Sequence, residues 1–215
     1  MKAVTGVLAV TVAVAAAVMM LTAPAMAMDV ELTSTQIEAA LKIARGDERT
    51  RAPFHRAYMV PVNDPSIERI EVITEFRRLV LIAEARIAGG DHLFAQGTRE
   101  ASEALRPWRG RVSLVAHLRF HPQNAYVMGP PIDVSVDGPS GRMPRLDLRS
   151  ESTLGLAPRP VSPTPTVAPQ SLPLISASAE AVFDAATIGQ ATRSVVVQLH
   201  GAEPVRATVD FSRIR

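Results

Sequence analysis

The sequence predicts an α+β fold: N-terminal helices, one of them long and central, packed on an antiparallel β-sheet or small sandwich. Three observations carry that expectation. Apolar residues recur at three- and four-residue spacing at Ile37, Ala40, Leu41 and Ala44, and again from Val72 through Phe76, Leu79, Val80 and Ala83 to Ile87. That spacing lines one face of a helix. From Arg111 onward the period becomes two, with Val112, Leu114, Ala116, Leu118 and Phe120 on one side, as in a strand. The C-terminal end alternates again at Val205, Ala207, Val209 and Phe211. Helices first and strands later argue for α+β rather than a parallel sheet.

Residues 1–27 read as a signal peptide. Lys2 supplies the positive start, residues 7–21 are almost wholly apolar, and Ala25-Met26-Ala27 has the small-x-small cleavage pattern. The apolar core is shorter than the ~18–20 residues of a spanning helix, so cleavage is expected rather than a retained anchor. The mature chain then starts near Met28, has no second long apolar segment and is exported to the periplasm or the exterior. It carries no cysteine, so disulfides are excluded and packing must supply its stability. The remaining residues, about 188 of them, suffice for one ordinary domain. They divide into helices and first strands over 28–148, a Pro-rich loop or linker over 149–178, and strands over 179–215 that complete the same domain. Basic and acidic residues nearly balance, 23 against 21, and only Lys2 and Lys42 are lysines. No basic domain of the nucleic-acid-binding kind is present.

In chain order, 31–46 is expected to be helical, capped by Thr33 or Ser34 and ended near Gly46. Residues 47–56 carry charge and Pro53, which predicts a loop. Residues 58–62 alternate around Pro61, which predicts a short edge strand. The central helix is expected over 64–90, with Asp64 as N-cap, Pro65 in the first turn and Gly89-Gly90 as the stop. Glu71, Glu75, Arg78 and Arg86 then fall on its polar side, where Glu75 and Arg78 can pair across a turn. Arg77 and Glu84 flank the apolar stripe. Two readings apply: a half-buried pair at a cleft, or a long Arg stem covering apolar surface with its head in water. The second is expected. A short helix follows over 98–105. Strands are expected over 111–121, 125–128, 132–136, 145–149, 180–184, 194–200 and 205–214, with a hairpin connection at 200–204.

The most concentrated polar feature is the face of His117, Arg119 and His121 on the 111–121 strand. A guanidinium forks onto a carboxylate or phosphate, and imidazoles add charge in mild acid, so an anionic ligand is the expected chemistry. A strand advances ~13 Å over four residues, too far for two ligands of one ion, so no metal is expected unless His55 or His92 completes a site. The competing reading is an ordinary solvent face. Asp133 to Gly138 has the first half of a calcium loop, but Pro144 stands where the bidentate Glu belongs. Gly138-Pro139-Ser140-Gly141 is not a nucleophile elbow. No motif specifies a reaction or a cofactor. Two functions therefore stand. The favoured one is an exported, non-enzymatic binding or structural module of the cell envelope, its partner an anionic ligand or another envelope protein. The other is an exported hydrolase or metal-dependent enzyme using His117, His121 and acidic partners.

Overall fold

The structure, a computed structural model, describes residues 31–121, 124, 128–154 and 174–214. Its architecture is α+β. Among the described residues are two antiparallel sheets, of five and four strands, and a layer of helices. No helix among them is long and apolar enough to cross a membrane. The expected signal (1–27), all but the last residue of the strand expected at 125–128 and most of the Pro-rich stretch (155–173) lie outside the described residues.

The chain enters through α1 (Ser34–Ala44). Thr33 caps it reciprocally with Gln36, and Ile37, Ala40, Leu41 and Ala44 are buried as their spacing predicts. The segment expected as a loop forms α2 (Glu48–Arg56) instead. Asp47 accepts the Thr50 N–H at 2.9 Å and starts it. Phe54 secures it by stacking near Tyr58 and Phe76, at 5.0 and 6.0 Å between ring centroids. Those contacts offset the donor that Pro53 lacks. The edge strand β1 (Met59–Pro61) follows.

The expected central helix is the largest correction. Its first third is strand β2 (Ile67–Ile73), and the helix α3 runs only over Glu75–Ala88. Asp64 caps no helix: its carboxylate accepts the N–H groups of Ser66 and Ile67 in a turn that leads into β2. Thr74 is the actual N-cap and accepts the Arg77 N–H at 3.3 Å. The β-branched run around Ile70, Val72 and Ile73 prefers the pleated surface, and β2 pairs with β1 and with β3 (Arg111–Arg119). Between α3 and β3 lies α4 (Thr98–Leu105), at the expected residues.

Beyond β3 come β4 (Ile132–Gly138), β5 (Gly141–Arg142), β6 (Asp147–Leu154), β7 (Leu174–Asp184), the single turn α5 (Ala185–Ile188), β8 (Thr192–Leu199) and β9 (Val205–Asp210). The five-stranded sheet runs β1-β2-β3-β7-β6 and the four-stranded sheet β5-β4-β8-β9. Both flanks of the Pro-rich stretch are strand rather than loop: 149–154 of β6 pair with 174–180 of β7. The β8–β9 hairpin closes across 200–204 as expected.

The two sheets face one another across a single apolar core. Ile70, Val72, Leu114, Ala116, Leu118, Ala179, Ala181 and Phe183 come from one, and Val134, Val136, Val195, Val197 and Val209 from the other. The helices make a second core, in which Phe76, Leu79, Val80 and Ala83 of α3 meet Leu41 of α1 and Leu105 of α4. This layer covers one end of the outer face of the five-stranded sheet. There Arg78 donates to Ser113 Oγ and to Glu180, both at 2.6 Å, and lies 3.8 Å over the Trp108 ring. Glu75, expected on the exposed side, is buried beside Gly110, whose N–H points to its carboxylate at 3.4 Å. Gly110 has φ 65°, a conformation glycine adopts without strain. Burial pushes the Glu75 carboxyl above its ordinary value, against the bonds from the Gly110 and Leu32 N–H groups.

Candidate functional site

The outer face of the five-stranded sheet divides into two parts. Near Gly110 it lies under α3, so Ser113 and Val115 are buried. Toward the other end of β3 it is open. Strand register sets the neighbours there: Arg69 of β2 and Ser178 of β7 stand opposite His117, and Ser176 of β7 stands opposite Arg119. Opposed residues share a face, with side chains about 4.5–5.5 Å apart at Cβ. On the far side of β7, Glu151 and Thr153 of β6 stand opposite Ser178 and Ser176. Arg69, His117, Ser176 and Ser178, with Glu68, Glu151 and Thr153, line a cleft of about 290 Å³. Wider hollows of about 460 and 610 Å³ lie over the helices. They are lined by residues of α1, α4, the end of α3 and the 91–97 segment and hold no histidine, so the smaller cleft is the better candidate.

A buried relay organises this cleft. Arg77 is only 1% exposed. It sits in the first turn of α3, directly after the sheet-to-helix switch at Thr74, and so points back under β2. Its guanidinium donates to the carbonyls of Val72 at 2.7 Å and Tyr58 at 3.4 Å, and lies 5.0 Å over the Tyr58 ring. It also grips one carboxylate oxygen of Glu71. The other oxygen of Glu71 is 2.7 Å from His117 Nε2. The expected arrangement of Arg77, with its head in water, is therefore wrong. Its partner is also not Glu84, which instead meets His55 at 3.0 Å. Strand geometry explains the difference: Glu71 and Arg77 are brought together by the turn at Thr74, which a continuous helix would lack.

The electrostatics follow from this geometry. Burial alone would raise the Glu71 carboxyl, but the hydrogen bond from His117 and the charges of Arg77, His117 and Arg69 outweigh it and hold it below its ordinary value. Glu180 behaves alike: burial is outweighed by Arg78 and Ser113. A carboxylate held low in the fold adds stability above its unfolded value, 4.5 for Glu71, and that stability is lost as pH falls through the folded value. Glu71→Gln is thus expected to be less stable than wild type at neutral pH, with the gap closing in acid below pH 4.5. Thermal melts from neutral to acid pH check this; a gap that stayed constant in acid would contradict it.

The three residues of the expected anion-binding face are not held together. His117 lines the cleft, with its side chain about a quarter exposed. Arg119 projects at the rim, 71% exposed, and touches Glu68 at 3.3 Å. Glu68 also takes Arg69 at 2.6 Å. His121 lies past the end of β3, where its carbonyl accepts the Asn124 side-chain N–H. It does not line the cleft. No three His, Cys, Asp or Glu side chains cluster as metal ligands among the described residues. Asp133 and Asp137 sit on strand β4, not in a calcium loop, and pair with Arg142, Arg145 and Arg206. The sequence reading gave no site role to Glu71, Ser178 or Glu151, and for Arg77 it preferred a head in water over a half-buried pair at a cleft. The signal for Glu71 was present: it alternates with Ile70 and Val72, which places it on the face opposite the core. No family model, no curated protein and no solved structure matches this chain, so its functional reading rests on this cleft alone.

Proposed function

We infer that the protein is an exported, non-enzymatic binding module of the cell envelope that takes an anionic ligand at the His117 cleft. One observation carries the reading: His117 is held in the cleft by Glu71, which a buried Arg77 holds in turn. Burying a guanidinium is costly, and Arg77 Nε has no hydrogen-bond partner among the described residues. This arrangement orients a side chain more than it maximises stability. Because Arg77 already balances Glu71, protonation of His117 leaves the three with one positive charge in excess. At the rim, Arg69 and Arg119 share the single carboxylate of Glu68. Such exposed pairs are worth about 0–1 kcal/mol, so an incoming carboxylate, sulfate or phosphate displaces Glu68 at little cost. Export rests on the signal pattern of residues 1–27. N-terminal sequencing of the protein from its host should find a start near Met28.

Calorimetry with sulfate and oligogalacturonate tests the binding. Neither probe changes charge between about pH 5 and pH 8, the range in which imidazoles ordinarily titrate, so a pH effect reports on the protein. Binding is expected to strengthen toward acid and weaken with salt. Arg119→Ala should remove most of the affinity, and His117→Gln should flatten the pH dependence. Absence of binding at every pH would overturn the reading.

A second reading has its own observation. Glu71 at 2.7 Å from His117, with Ser178 standing opposite His117, has the parts of a base oriented by a carboxylate beside a hydroxyl. On this reading the protein is an exported hydrolase. Turnover of ester substrates that is lost in both His117→Gln and Ser178→Ala would favour it over simple binding.

A further inference from the structure

We propose that two copies of this chain join edge to edge through β6, antiparallel about a two-fold axis at Ser150, to form one continuous ten-stranded sheet. Among the described residues β6 ends the order β1-β2-β3-β7-β6 and pairs with β7 alone, so one of its edges has no described strand beside it. Such an edge is a template for another strand. The other edges suit pairing less. β1 is three residues long and carries Pro61, and β5 has two residues. β9 is shorter than β6, six residues against eight; each strand has one arginine already paired within the chain, Arg206 with Asp137 and Arg149 with Asp147.

The sequence of β6 is complementary to itself in one register. With Ser150 opposite Ser150, Arg149 of each copy stands opposite Glu151 of the other. Both residues are exposed on the outer face of the sheet. The same register, carried one residue before the start of β6, sets Leu146 opposite Leu154 at both ends. These leucines are 56% and 49% exposed, two of the few large apolar side chains that the described surface leaves in water. Moving the axis to Arg149 would set Arg149 against itself and Asp147 against Glu151. Moving it to Glu151 would set Glu151 against itself. Opposite charges directly across a ladder stabilise it and like charges oppose it, so charge selects the Ser150 register. Parity then keeps the outer faces of both copies on one side. The two His117 clefts face the same way, and a ligand with repeated anionic groups engages both.

Sedimentation equilibrium tests the proposal. The protein should show a reversible monomer–dimer equilibrium in the micromolar to millimolar range. Arg149→Glu or Glu151→Arg alone replaces two attractive pairs by two repulsive ones and should weaken the dimer about tenfold or more. The doubly reversed protein should recover to within about threefold of wild type, because the pairs are restored with their signs exchanged. Arg149 stands opposite Glu180 within the chain, so if Arg149→Glu fails to fold, Glu151→Arg alone decides. A wild-type monomer throughout that range, or a dimer indifferent to the reversals, would overturn the proposal. Sulfate binding belongs to a single copy, so that outcome leaves the reading of the cleft standing.

Discussion

Arg77→Ala is expected to lose about 3–5 kcal/mol of folding stability, the usual cost of removing one partner of a buried ion pair. The guanidinium serves three acceptors at once: the Glu71 carboxylate and the carbonyls of Val72 and Tyr58. Truncation strands all three beside a space that apolar neighbours cannot fill with donors. Glu71 then keeps only His117 and the more distant Arg69 against its desolvation. Arg77→Lys is expected to recover only part of the loss, because an ammonium cannot fork between a carboxylate and a carbonyl as a guanidinium does. Pairing Arg77→Ala with Glu71→Gln should cost less than the sum of the two, since each removes the same interaction. Urea denaturation at neutral pH measures all four variants. A loss under about 1 kcal/mol for Arg77→Ala would show that its guanidinium reaches water.

Phe76→Ala is expected to cost a similar amount, about 3–5 kcal/mol, for a different reason. Phe76 is 1% exposed in the helical core, among Leu79, Val80, Leu41 and Leu105. Its ring lies 6.0 Å from that of Phe54, the residue that holds the Pro-containing α2 in place. The cavity therefore loosens two helices. Phe76→Leu keeps most of the volume and should cost less than about 1.5 kcal/mol. The same denaturation curves check both, and equal costs for the two substitutions would show that the site collapses around any side chain.

The parts of the fold that were legible in the sequence are those where one period runs without interruption. α1 and β3 follow their apolar spacing. The failure at residues 64–90 has a physical cause. Ile73, Phe76, Val80, Ala83 and Ile87 keep helical spacing straight across the boundary, because Ile73 at the end of β2 is buried as the stripe of α3 is. Asp64-Pro65 also satisfies the rules for a helix start while serving a turn. α2 was missed because Pro53 signals a break, and only the tertiary contacts of Phe54 override it. Half of the site was legible: His117 stood out as a polar residue on a strand. Glu71 and Arg77 were hidden by the same boundary error, since their meeting depends on the reversal at Thr74. Ser178 and Glu151 reach the cleft through pairings of β7 with β3 and β6, and no local pattern encodes pairing between distant strands.

The central claim, that ligand meets the cleft in front of the Arg77–Glu71–His117 relay, is tested most directly by titrating isotope-labelled protein with oligogalacturonate and following backbone and imidazole NMR signals. The account predicts that the perturbed signals cluster at Arg69, His117, Arg119, Ser176 and Ser178, and that Arg119→Ala weakens binding while the remaining signals still report it. Perturbations confined to the hollows over α1, α3 and α4, or absent from His117, would contradict it.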